Sequence, residues 1–261
     1  RKGLAKDFDA LLKRAEDAVA REDRILATQL VARGLADTAE AGRDFEEYRA
    51  GFLLLKGQLA FAGAAVNDAR RFLGDAMAIY QVTDNDAGIC RVNLALALLE
   101  DSIGDTATAA RHLETASALV KKKDDPPMEA RHAMVRGTLA LSRMDYADAA
   151  TAFAEAIRLF GAIEDRRAEA AASLKLAAAQ DAKGDVRNAD RTLNRALQLF
   201  RDLHDQAGEA RVLHRLALMA AENGNHGRAR DLFKKVEQLY IALGQPGDAA
   251  RVSQHVSALP E

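Results

Sequence analysis

Large and small apolar residues recur in phase along this chain. Leu73, Leu113, Phe153, Leu193 and Phe233 stand 40 residues apart. Four residues before each is an alanine, from Ala69 and Ala109 to Ala149, Ala189 and Ala229. Three residues after each is Ala76, Ala116, Ala156, Ala196 or Val236. Positions i, i+4 and i+7 share one face of a helix. Each set therefore marks a helix with a small-large-small buried face, close enough to a neighbour that a bulky residue fills the gap. A second small column, Gly57, Ala97, Gly137, Ala177 and Ala217, lies upstream. Between the two columns sits a turn pair: Gly104-Asp105, Met144-Asp145, Gly184-Asp185 or Gly224-Asn225. The pattern predicts two helices per 40-residue unit.

Carried along the chain, the phase predicts thirteen helices. The pairs are 5–21 with 25–40, 44–62 with 66–81, 86–102 with 106–121, 128–142 with 146–161, 166–182 with 186–202, and 206–222 with 226–242. A last helix near 247–257 has no second half and reads as a cap. Pro126, Pro127 and Pro246 fall in the predicted gaps, where they cost nothing, whereas a helix interior would lose about 3 kcal/mol. Residues 1–43 fit only loosely, with Ala27 as the inter-helix alanine, and read as an irregular first repeat. Residues 44–242 hold five regular repeats and 243–261 the cap helix and tail, all within one domain.

Composition agrees with helix. There is no Trp, aromatics are 5% of the chain, and helix-favouring Ala, Leu and Arg dominate. The net charge of -2 offers no basic surplus for nucleic acid or an anionic membrane. Lys121-Lys122-Lys123 precedes Asp124-Asp125 and reads as a solvated helix end. A single cysteine, Cys90, precludes an internal disulfide. No apolar run approaches the ~20 residues a membrane helix needs. The chain reads as soluble, with Ala- and Arg-rich usage leaning to a bacterial cytoplasm, or to the periplasm if a signal peptide preceded Arg1.

The search for chemistry returns little. There is no phosphate loop, His-Glu-x-x-His, cysteine pair or nucleophile elbow. The histidines lack metal-ligand spacing and read as exposed or edge residues. Neither a catalytic residue, a metal site nor a cofactor is expected, and the chain reads as not an enzyme.

The order small residue, Gly-Asp turn, Ala, large apolar, Ala resembles the tetratricopeptide repeat, in its longer 40-residue variety. The links Phe160-Gly-Ala-Ile-Glu-Asp, Phe200-Arg-Asp-Leu-His-Asp and Tyr240-Ile-Ala-Leu-Gly-Gln are similar to those of that variety. The resemblance implies an all-α fold, a right-handed α-solenoid (superhelix) of about six helix hairpins plus a C-terminal capping helix. Met144 and Ala64 depart from the usual turn glycine.

The resemblance also implies that the first helix of each pair lines a concave groove that binds another protein or peptide. By phase, that lining includes Leu54, Leu94, Met134, Leu174 and His214, then Gln58 and Leu98, then Phe61 and Leu141, with Arg91, Arg131 and Arg211 along one edge. The Lys/Asn/Arg carboxylate clamp of chaperone-binding relatives is absent as a set. An apolar stripe edged by arginine suits an amphipathic or hydrophobic segment with acidic flanks. Some of these leucines can equally pack adjacent first helices together, and the arginines can be solvated or paired. Two other readings stand beside the protein-binding scaffold: a regulatory sensor module of a larger signalling protein, and self-association through the convex face or the caps.

Overall fold

A residue with left-handed backbone recurs every 20 positions: Ala64, Asp84, Gly104, Asp124, Met144, Glu164, Gly184, His204, Gly224 and Gly244 all have φ between 48° and 86°. This conformation ends a helix. In the computed structural model, which describes residues 2–260, these ten stops, together with Glu22 and Gly42, separate thirteen α-helices. They are α1 (Lys2–Ala20), α2 (Arg24–Ala41), α3 (Glu46–Ala62), α4 (Val66–Val82), α5 (Asp86–Ser102), α6 (Thr106–Lys123) and α7 (Pro126–Ser142). There follow α8 (Tyr146–Ala162), α9 (Arg166–Ala182), α10 (Val186–Asp202), α11 (Gln206–Glu222), α12 (His226–Ala242) and α13 (Pro246–Ala258). Every predicted boundary lies within three residues of the observed one.

The residue after each stop starts the next helix. Asn85, Asp105, Asp125, Asp145, Asp165, Asp185, Asp205 and Asn225 each accept, through a side-chain oxygen, the backbone N–H three residues on. Such a cap is worth about 1 kcal/mol. The same residue also closes the preceding helix. The N–H of Asp105 donates to the Glu100 carbonyl at 2.9 Å, and that of Asp205 to the Phe200 carbonyl at 2.8 Å. The Asp of the Gly-Asp pair is thus both stop and start.

Two details differ from the sequence expectation. Pro126, Pro127 and Pro246 lie inside the first turns of α7 and α13 rather than in gaps. The first-turn N–H groups lack intrahelical partners, so proline removes nothing there. The first hairpin is also out of phase: α2 starts 42 residues before α4. The surplus is absorbed where Gly42 (φ 86°) leads into a 3-10 turn at Arg43–Phe45.

The chain divides into two compact units, Arg1–Val135 and Arg136–Glu261, with the boundary inside α7. In the first, Leu11, Leu30, Val31, Phe52 and Leu55 form a core over α1–α3, and Leu54, Leu73, Tyr80, Val92 and Leu99 another over α3–α5. In the second, Leu193, Phe200, Val212, Leu213, Phe233 and Val252 join α10–α13. The repeated alanines Ala69, Ala109, Ala149, Ala189 and Ala229 are all fully buried. A Cβ on Gly57 would stand 2.8 Å from Leu73 side-chain carbons, which explains the small column opposite the large one.

Candidate partner-binding face

In the first unit the predicted lining separates into two sets. Gln58, Phe61 and Leu98 are half-buried and line one face of α3 and α5. Met134 on α7 is also half-buried, and Arg131 is exposed. Leu54 and Leu94 are instead core residues, 0% and 4% exposed. The small neighbours Ala50 and Ala95 let the helices close over this position, so it offers a partner no surface. Arg91 does not stand alone at the edge. Its Nη2 donates to Glu16 Oε1 on α1 at 2.6 Å, and both side chains are partly shielded.

In the second unit Leu141, Leu174, Arg211 and His214 are all half-buried, as are Thr138, Ala178 and Leu218 in the adjoining row. Asp181 is held by an ion pair with Arg215. The Arg211 guanidinium lies 5.7 Å over the Phe200 ring. His214 meets the Phe233 ring edge-on at 5.8 Å and the His255 ring at 5.6 Å, and Phe233 and His255 stack at 5.3 Å. The His214 Nε2 is buried without a hydrogen-bond partner. Burial, then the charges of His255, Arg215 and Arg251, push its pKa below 6.5. His214 therefore serves to seat α13 on α11 and α12, in addition to its place on the lining face.

Buried polar groups on α4–α6 were not legible in the sequence. Arg70 holds the carboxylate of Glu100 with two bonds, of 2.8 and 2.6 Å, and lowers its pKa. His112 Nδ1 bonds Asn93 Oδ1 at 2.9 Å, and burial pushes this imidazole down as well. Both histidines are half-buried, as expected of edge residues, and pack against neighbouring helices. Cys90 is fully buried, and burial pushes its thiol up to about 11, so it stays protonated. Among the described residues no cluster of His, Cys, Asp or Glu is placed to hold a metal ion, and no helix is long and apolar enough to cross a membrane.

A cavity of about 100 Å³ opens at the edge of this face in the first unit, between α5 and α7. Cys90, Arg91 and Leu94 line it from one side, Asp125, Met128 and Arg131 from the other. An open depression of about 560 Å³ lies between α1 and α2, lined by Leu4, Phe8 and Leu11 with Arg14, Arg33 and Asp37.

Paired helices at a 40-residue period, whose first members share a half-exposed face, are the architecture of a tetratricopeptide-type helical solenoid. Residues 103–243, more than half of the chain, match the soluble NSF attachment protein (SNAP) family, and the chain belongs to that family. No curated protein sequence matches it. Among solved structures it is similar to a signal transduction ATPase with numerous domains that carries a tetratricopeptide repeat sensor, from Pyrococcus horikoshii. The TM-score is 0.71 at 13% identity, over 95% of this chain and 40% of that one. It is also similar to a Rap protein complexed with competence and sporulation factor (0.69, 14%, over 96% of this chain and 73% of that one). A third is aspartyl phosphate phosphatase F from Bacillus subtilis (0.58, 13%, over 96% and 69%). At these identities the likeness is one of fold. The chain spans well under half the length of the Pyrococcus ATPase.

Proposed function

We propose that this chain is a protein- or peptide-binding adaptor, not an enzyme, and that it engages its partner along the half-exposed face of its first helices. One observation carries the reading. The position just after the small column, Gln58, Leu98, Thr138, Ala178 and Leu218, is half-exposed in every repeat and mostly uncharged. A solvated face would carry charge there; a packing face would be closed. The partner-contacting residues are Gln58, Phe61, Leu98, Arg131 and Met134 in the first unit and Leu141, Leu174, Arg211 and Leu218 in the second. Their apolar character with arginine at the edge suits a hydrophobic or amphipathic segment with acidic flanks. The proposed setting is a bacterial cytoplasm.

Leu98→Glu places a charge on this face without entering the core. The test is capture from host lysate by wild type and variant, with circular dichroism melts as the folding control. Loss of the captured proteins at an unchanged melting temperature supports the reading; identical capture sinks it.

The likeness to a repeat sensor and to a Rap protein bound to a signalling factor favours a second reading, a sensor module within a larger protein. It requires a change in radius of gyration by small-angle scattering when the captured partner is added.

A further inference from the structure

Two of the three charged groups that act on the His214 imidazole belong to another helix. Burial is the main cause of its lowered pKa, followed by His255, Arg215 and Arg251. Of these only Arg215 shares α11 with it. His255 and Arg251 lie on α13, and the His255 ring meets His214 at 5.6 Å. All three are positive or become so on protonation. The carboxylates of the packed helices are engaged elsewhere. Asp181 of α9 holds Arg215, Glu237 of α12 accepts the Ser253 hydroxyl, and Asp248 of α13 holds Arg251. Arg211 of α11 lies over the Phe200 ring, and Arg230 of α12 donates to the Pro260 carbonyl at 2.7 Å. The buried Nε2 of His214 has no hydrogen-bond partner, so nothing stands ready to accept a proton carried there.

The hold on α13 is light. Of its thirteen residues only Ala249 and Val252 are buried, with Val256 and Leu259 packed at the margin of the core. Its entry has no capping bond. Gln245 lacks the side-chain contact that Asp205 and Asn225 make at the two joints before it. The joint turns through Gly244 at φ 70°. Much of the remaining contact is a group of rings, with His255 stacked on Phe233 at 5.3 Å and His214 edge-on to the same phenyl.

We infer that α13 is a proton-released lid, which lifts from α11 and α12 when His214 takes up a proton. The two events oppose each other by linkage. With α13 seated, His214 is covered and faces His255 and Arg251, so the neutral imidazole is favoured. With α13 lifted, the cover and both of those groups are gone, and the imidazole binds its proton more nearly as an ordinary histidine does. The part of the weakened proton binding that α13 causes therefore returns as a loosened seat once the pH falls below 6.5. His255 is exposed and can take its own proton in place, which adds to the charge facing His214. Helices α10–α12 share the core of Leu193, Phe200, Val212 and Phe233 and keep it while α13 moves. Elements with few buried contacts open in such local steps. Lifting bares the Phe233 ring and His214 beside Arg211 and Leu218, and so enlarges the half-exposed face at acid pH.

The test is amide hydrogen exchange on the full chain, with each rate divided by its intrinsic value at the same pH. Between about pH 7.5 and about pH 5 the protection of α13 should fall roughly fivefold or more, while α10 and α11 keep theirs. In His214→Phe the ring is kept and the titration removed, so α13 should show the same protection at both pH values. His214→Gln, a neutral polar replacement, repeats the control if the phenyl variant does not fold. Constant protection of α13 in the wild type overturns the lid. So does an equal fall in the neutral variant, which would assign the effect to other groups. A fall shared equally by α10 and α11 also overturns it, since that is global unfolding. None of these outcomes depends on whether the face binds a partner.

Discussion

The Phe153 ring lies so close over Gly137 that a Cβ on the glycine would stand 2.8 Å from ring carbons. Phe153 is fully buried and has no room to swing away. Gly137→Ala gains about 1 kcal/mol of helix propensity but forces an overpacking cost of about 1–3 kcal/mol. The repeat that places Ala217 against Phe233 keeps the cost to about 2 kcal/mol, so the net expectation is a loss of about 1 kcal/mol. Gly74 is the control, since a Cβ there meets nothing within 4 Å. Gly74→Ala should stabilise by about 1 kcal/mol. Urea midpoints at constant m-value separate the two, and equal stabilisation by both would refute the packing argument.

Met144 holds a left-handed conformation at φ 60° with 72% of its surface exposed. A side chain in this region costs about 1 kcal/mol per residue, and nothing around Met144 offsets it. Met144→Gly should therefore raise stability by about 0.5–1 kcal/mol despite the added chain entropy of glycine. The reverse change at Gly104 (φ 86°) should lower it by a similar amount. Thermal melts of both variants check the sign.

Asp205 and Asp165 do the same capping work with different surroundings. Asp165 accepts the Ala168 N–H at 3.0 Å from an exposed site. Asp205 accepts the Gly208 N–H at 2.9 Å and also pairs with Arg167, with only 4% of its side chain exposed. Asp165→Ala should cost about 1 kcal/mol. Asp205→Ala leaves a shielded guanidinium without its carboxylate and should cost about 3 kcal/mol. Similar losses for the two would show that the ion pair contributes nothing.

His214 and His112 both titrate below 6.5 in the folded chain. The unfolded chain therefore takes up these protons first. Their contribution is held above pH 6.5 and lost as the pH falls through 6.5 toward the folded values. Glu100 has the same sign at lower pH: its lowered pKa makes its contribution persist until the pH falls below 4.5. The first loss on acidification should thus come from the imidazoles, a drop of about 2–4 °C in melting temperature for each 1 kcal/mol lost. His214→Phe should flatten the curve between pH 7 and 5. An unaltered slope in that variant would exclude His214 as a source.

The fold was legible because helix packing depends on residue size at fixed spacing, and size is written directly in the sequence. Ala109, Ala149 and Gly137 could be placed without coordinates for that reason. The lining face was legible in phase but not in depth. Leu54 and Leu98 stand four places apart in the repeat and look alike in sequence. Only the closeness of neighbouring helices, set by Ala50 and Ala95, encloses the first and leaves the second half-exposed. The Arg91–Glu16 pair joins residues 75 apart, and no local pattern announces it.

The double role of the capping residues bears on how the chain folds as it is made. Each turn is closed by groups within a few residues of one another, and the main packing partners are helices adjacent in sequence. Contact order is correspondingly low, which places folding in the microsecond-to-millisecond range. Any hairpin can nucleate the array. A ribosome delivers roughly 5–20 residues each second, so each hairpin has seconds in which to form before the next emerges. The described hairpins can thus assemble in the order of their synthesis, with α13 packing on α12 once that hairpin has formed.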